Sequence, residues 1–280
     1  MVTGLGLFLA LASAATWGVA DFWGGLVSRR LPTIAVTVIS QAAGFVVVLV
    51  ALGLHGSLDH RSFWIGILAG LGGGSGLAAF YRALSLGTMS IVSPLAACGA
   101  VVPFVISIAT GERPSVLAFG GAGLALAGAV LASVEEHRSE APDRARAVLL
   151  AVVAAVLLGV FTYFLGLGGR QGDALSTLVG ARVGSLAFLI ALALVIREKP
   201  FVPRGSIAVV AAIGVCDMTA NALFAFASTH GLLALVSVLG SLYPIMTVML
   251  AHLLLHERLS PVQKAGVGAA LVGVAALAAG

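Results

Sequence analysis

At 280 residues, 60% hydrophobic and only 9% charged, the chain has too few charges for a water-exposed surface of ordinary size, since a soluble domain carries roughly 25%. Its net charge of +4 is spread over short loops; nucleic-acid binding, which needs cations gathered on one face, is therefore excluded. With a mean hydropathy of +1.13, the chain reads as an all-α membrane protein that crosses the bilayer many times.

Hydropathy and breaker residues divide the chain into ten spans, at about 4–27, 33–54, 63–84, 88–109, 115–134, 147–167, 174–196, 206–227, 232–255 and 262–279. The first has no basic segment before it and is expected to be a retained helix rather than a cleaved signal. Arg29-Arg30-Leu31-Pro32 ends it, His55 to Arg61 ends the second span, and Gly87 ends the third. Gly70-Leu71-Gly72-Gly73-Gly74-Ser75-Gly76, inside the third, lacks the Lys-Ser/Thr ending and strand-to-helix setting of a phosphate loop, so close helix packing is expected. Pro94, Pro103 and Pro244 remove backbone donors within the fourth and ninth spans and predict kinks. Cys98 and Cys216 fall in apolar spans and read as small buried hydrophobes. The longest polar segment, Glu135 to Arg146, is a mid-chain linker between five spans and five.

The two halves repeat each other. Gly111-Glu112-Arg113-Pro114-Ser115 joins the fourth and fifth spans, and His256-Glu257-Arg258-Leu259-Ser260-Pro261 joins the ninth and tenth. The offset is constant: 257 − 112 = 145 for Glu, with Arg113/Arg258, Ser115/Ser260, Gly121/Gly266, Gly123/Gly268 and Gly128/Gly273 in the same register. Gly18/Gly159, Phe22/Tyr163 and Gln41/Arg182 match at 141, and Gly70/Gly214 and Gly87/Gly231 at 144. Because five is odd, a second copy of a five-span unit must sit upside down, so two inverted five-helix repeats are expected, at 1–134 and 147–280, joined by the linker 135–146. The small-residue runs at Gly121 and Gly266 are read as helix contacts within the chain or across a homodimer.

Eleven of the 15 Lys and Arg residues (Arg29, Arg30, Arg82, Arg138, Arg144, Arg146, Arg197, Lys199, Arg204, Arg258, Lys264) fall on one face, and Arg61, Arg113 and Arg170 on the other. The positive-inside rule then puts the odd-numbered loops in the cytoplasm and both termini outside.

The two Glu-Arg hinges, each between a Pro-bearing and a small-residue helix, resemble the EamA domain of the drug/metabolite transporter superfamily, as does Ala15-Thr16-Trp17-Gly18-Val19-Ala20 in the first span. The resemblance covers essentially the whole chain as two tandem copies. It implies a ten-helix carrier of small organic metabolites or drugs, expected to be an exporter in a bacterial inner (plasma) membrane. Members of the family are commonly drawn with both termini in the cytoplasm, against the charge count. The small four-helix relatives use a Glu in mid-first helix; neither half carries one here, so that mechanism does not transfer.

Charged residues inside spans usually face a cavity or a partner. Arg182 and Asp217 are the clear cases, with Asn221 at i+4 from Asp217 on the same helix face. They read either as a substrate site, Arg182 holding a carboxylate or phosphate and Asp217 an amine or proton, or as an ion pair pinning two helices. Gln41 is expected to face Arg182 from the other half. Trp17, Tyr163 and Tyr243 are candidate cavity walls, and Tyr81-Arg82 a candidate gate. Asp21 and Arg82 are read mainly as interfacial groups near helix ends. No cofactor or metal site, nucleic-acid partner or ATP-binding domain is expected. Protons, through Asp217, are the expected coupling ion.

The main reading is a secondary transporter with a small-molecule substrate, not an enzyme. The alternative is a membrane-embedded enzyme acting on a lipid or isoprenoid. It would need carboxylates gathered at one face, where only Asp59, Glu112 and Asp173 are available, in separate loops.

Overall fold

The computed structural model describes residues 2–55, 57–87, 89–132, 143–255 and 260–280. The linker residues 135–142 and, in the second hinge, His256, Glu257, Arg258 and Leu259 lie outside them. Among the described residues all regular structure is helical: α1 (Gly4–Ser28), α2 (Thr33–His55), α3 (His60–Leu86), α4 (Met89–Ala97), α5 (Val101–Ala109), α6 (Val116–Ala132), α7 (Arg144–Gln171), α8 (Ala174–Ile196), α9 (Arg204–Thr229), α10 (Leu233–Gly240), α11 (Tyr243–Leu255) and α12 (Pro261–Ala279). Helices dominate because a lipid-facing backbone must satisfy its own polar groups.

Eight stretches are long and apolar enough to cross a membrane: α1, α2, α3, α7, α8, α9, α12 and α10–α11 taken together. Leu95–Ala109 and Val116–Ala132 are shorter apolar helices. The fourth and ninth expected spans are each interrupted. A tight turn, Cys98–Ala100, separates α4 from α5, with Pro103 in the first turn of α5. Ser241 and Leu242 separate α10 from α11, with Pro244 in its first turn. In both cases proline can donate no hydrogen bond to the carbonyl four residues earlier, Gly99 and Gly240, so the ladder opens there. Pro94 lies within α4 without interrupting it. The turn keeps Gly99 and Ala100 inside and leaves Cys98 exposed, contrary to the burial expected of it.

Glycines set how closely the helices approach. On α3, Gly66, Gly70 and Gly74 lie against the backbone of Thr177, Ala181 and Ser185 of α8, so these helices run parallel. Gly72, Gly73 and Gly76 of α3 lie against α7, near Leu157, Phe161 and Leu158. The glycine run is thus a two-sided packing surface. Gly121 and Gly128 of α6 meet Gly273 and Gly266 of α12 in antiparallel register, whereas Gly123 and Gly268 face open space.

The packing repeats with the sequence. Gly70 meets the carbonyl of Ala181, and Gly214 of α9 meets the carbonyl of Ser40 on α2. Gly70 and Gly214 are 144 residues apart, Ser40 and Ala181 are 141 apart, and so one contact is made twice with the halves exchanged. Likewise Gly18 packs on Tyr243 and Met246 beside one helix break, and Gly159 on Gly99 and Val102 at the other.

One end of the bundle is tied by polar caps. Asp59 caps α3, its Oδ2 accepting from Ser62 N at 2.8 Å; Asp173 caps α8, its Oδ2 accepting from Ser176 N at 2.7 Å. Each serine then serves the other helix: Asp59 N donates to Ser176 Oγ and Asp173 N to Ser62 Oγ, both at 2.9 Å. The hydrogen bonds from Ser62 hold the Asp59 carboxyl below the ordinary aspartate range. Nearby, Glu112 accepts from Leu233 N and Ala234 N, each at 2.9 Å, and pairs with Arg170. A carboxylate there complements the positive end of the α10 dipole and satisfies two donors left free by helix geometry. The chain's first helix begins and its last helix ends here as well: Thr3 N donates to the His230 carbonyl at 3.0 Å, and Gly280 lies beside Ser115. So α1 begins at this end, whereas α7 finishes there at Arg170.

At the opposite end lie Arg82, Glu198 and the α1–α2 connection at Leu31 and Pro32. There the helices part around a cavity of about 540 Å³.

Candidate functional site

Four helices bring polar side chains together in the middle of the bundle. Arg182 of α8 and Asp217 of α9 form a salt bridge, Nη2 to Oδ2, of 2.8 Å, with side-chain exposures of 4% and 13%. The same Oδ2 accepts from Gln41 Nε2 of α2 and Asn221 Nδ2, both at 3.2 Å. Arg182 Nη1 donates to Gln41 Oε1, and Arg182 Nε lies 3.1 Å from Met218 Sδ. Ser185 Oγ donates to Gln41 Oε1 at 2.9 Å, and Trp17 Nε1 of α1 donates to Asn221 Oδ1 at 3.1 Å. A buried charge inserted alone costs about 2.5–3.5 kcal/mol at mid-membrane, and this network offsets that cost by surrounding each charge with partners. Gly44 makes room for it, since its α-carbon faces the Arg182 guanidinium.

The network borders a cavity of about 80 Å³, also lined by Asp21, Phe80, Phe161 and Tyr243. A second lobe of about 50 Å³ shares Trp17, Thr162 and Tyr243 and reaches Gly99 and Gly240 at the two helix breaks. In this conformation the space is well under the roughly 300–1,000 Å³ of usual ligand pockets.

A profile of the EamA-like transporter family matches residues 4–134 and again 145–279. The chain belongs to the EamA-like transporter family. That places it in the drug/metabolite transporter superfamily, as an integral membrane protein with many crossings. No curated protein matches it. A solved structure titled only "Crystal structure of protein" is similar over 97% of this chain and 94% of its own, with a TM-score of 0.75 and 21% identity; the likeness is one of fold.

Of the residues singled out in this EamA-like chain, Arg182, Asp217, Asn221, Gln41, Trp17 and Tyr243 line the central cavity. Tyr163 does not; it packs edge-on against Phe164, and its neighbours Phe161 and Thr162 take the lining position. One residue along a helix turns a side chain by about 100°; at the offset of 141, Tyr163 pairs with Phe22, which does not line the cavity either, and Thr162 with Asp21, which does. Tyr81 and Arg82 part company. Tyr81 is buried against Gly24, its hydroxyl 3.5 Å from the Ala20 carbonyl, while Arg82 is exposed at the basic end. They do not form one gate.

Asp21 is the functional candidate that the sequence undersold. It was read as interfacial, yet it is only 8% exposed and lines the central cavity. The signal was available: α1 continues seven residues beyond Asp21, to Ser28, about 10 Å at 1.5 Å per residue. The carboxylates that a facial enzyme would need are otherwise engaged, since Asp59, Glu112 and Asp173 each accept from helix N-terminal amides.

Proposed function

We propose that this chain is a secondary transporter that exports small organic metabolites or drugs by alternating access, without ATP. The carrying observation is the central cavity, where repeat-equivalent Gln41 and Arg182 touch and both helix breaks border the adjoining lobe. Inverted-repeat carriers place their substrate site in this way, near the midplane and beside discontinuous helices. Ten crossings in two inverted sets of five account for α1 beginning, and its equivalent α7 ending, at the same end of the bundle. The caps at Asp59, Asp173 and Glu112 close that end, while the basic end carries the larger cavity. With the cations toward the cytoplasm, this arrangement suits loading from inside and release outside.

The test is flux in proteoliposomes lacking ATP, over a panel of small organic anions, cations and zwitterions. Saturable counterflow of at least one class is expected. Wild-type vesicles that give only passive leak for every class would sink the reading.

A further inference from the structure

The cavity is lined by more acidic than basic groups. Two carboxylates, Asp21 and Asp217, and one guanidinium, Arg182, line it. Arg182 is spent on Asp217, Gln41 and Met218, and Asp217 Oδ2 accepts from three side chains. Among the described residues Asp21 has neither hydrogen bond nor ion pair, although its residue is more than nine-tenths buried. A buried carboxyl without a partner is stable only when it takes up a proton or meets a cation, and the cavity gives a cation access to it. The walls around it are aromatic: Trp17, Phe80, Phe161 and Tyr243. Ring faces attract cations, most strongly where water is excluded.

We propose that Asp21 is the docking carboxylate for a positively charged substrate group, so that this cavity takes small organic ammonium compounds with an apolar or aromatic body. The proposal rests on the transporter reading of the site and adds the substrate's charge to it. Arg182, in contrast, braces α2, α8 and α9, each of its three nitrogens already bonded to Met218, Gln41 or Asp217 and its charge paired with Asp217. The remaining ionisable neighbours, Tyr81 of α3, Tyr243 of α11 and Cys216 of α9, supply no cation to Asp21.

The test is equilibrium binding to the purified full-length protein, read by Trp fluorescence and calorimetry, with three probes of similar size. These are phenethylammonium, neutral 2-phenylethanol and anionic 3-phenylpropionate. The wild type is expected to bind the ammonium at least 10-fold more tightly than the other two. Asp21→Asn should abolish that preference at an unchanged thermal midpoint, and Asp21→Glu should keep part of it. Should Asp21→Asn fail to fold, the wild type still decides the matter. A hydrophobic carbodiimide should label Asp21, and phenethylammonium, but not 2-phenylethanol, should protect it. Equal affinity for all three probes, the result if a proton alone occupied Asp21, overturns the proposal, as does preference for the anion. Binding that depends on Asp21 without flux in proteoliposomes would remove the transporter reading and leave the cation site standing.

Discussion

Gln41 and Arg182 hold equivalent positions in the two repeats, 141 residues apart, and are hydrogen-bonded to each other. A residue can touch its own equivalent only close to the axis that relates the halves. The polar network is therefore centred where both repeats contribute equally, and its members should be coupled in stability as well as in space.

Arg182→Leu should destabilise the protein by about 3–5 kcal/mol, because it leaves Asp217 buried without its cation. Arg182→Leu combined with Asp217→Leu should recover most of that loss. Thermal midpoints of the two single variants and the double in one detergent provide the measurement. A double variant less stable than either single one would contradict the bracing role assigned to the pair. Arg182→Lys should recover only partly, since an ammonium cannot reproduce the guanidinium's simultaneous bonds to Gln41 and Asp217.

Glu112→Gln should loosen the start of α10. It removes the negative charge that two backbone amides and Arg170 share. Losing charge-assisted bonds of this kind costs about 1.5–3 kcal/mol. Amides of Leu233 and Ala234 should then exchange with deuterium at least 10-fold faster, while those in mid-α8 stay unchanged. Equal acceleration everywhere would indicate global destabilisation instead.

Acid should act on the Asp59 cap. Its folded carboxyl titrates below the ordinary range because Ser62 donates to it from both side chain and backbone. A depressed carboxyl contributes stability that is fully present above the unfolded value of about 3.9. That contribution is lost as pH falls through the lower folded value. Exchange protection at the start of α3 should thus be flat from pH 7 to about 5 and weaken toward pH 3. Asp59→Asn should flatten that acid limb, and an unchanged limb would mean that another carboxyl sets it.

Gly214→Ala and Gly70→Ala should destabilise by similar amounts, about 1–3 kcal/mol each, because each new methyl meets a backbone carbonyl that cannot move aside. Gly120→Ala, which meets nothing within 4 Å, should be neutral or stabilising. Chemical or thermal unfolding in detergent orders the three. A costly Gly120→Ala beside a silent Gly214→Ala would contradict the packing described.

A reporter fused after Gly280 should read extracytoplasmic, and one within 135–146 cytoplasmic, as the eleven-to-three split of cations requires. The reverse pattern would turn the bundle over and put the capped end inside the cell.

The helices and the duplication could be read from hydropathy, glycines and the two hinges, because a membrane leaves the backbone few alternatives. Arg182, Asp217, Asn221 and Gln41 were legible for the same reason: polar groups are rare in spans and must find one another. What stayed hidden depended on rotation and depth. Tyr163 and Thr162 differ by one residue, which hydropathy cannot resolve, and Asp21 looked interfacial because it lies toward the loop end of its span, near the basic Arg29-Arg30 stop. The hinge Glu112 was visible as a motif, but its partners on α10 lie 121 and 122 residues away. Only the folded chain brings them within reach.

Contact between Gln41 and Arg182 also bears on how such a chain can arise by duplication. Two identical copies would place the same side chain on both sides of the axis. Two guanidinium groups about 4 Å apart would repel by about 4 kcal/mol at an effective dielectric constant of 20. A single arginine is thus incompatible with strict identity of the halves, and divergence at this one pair gives the fused chain a polarity that a symmetric dimer of repeats lacks. On the alternating-access reading proposed above, inward- and outward-facing forms would then differ in energy before any ligand binds.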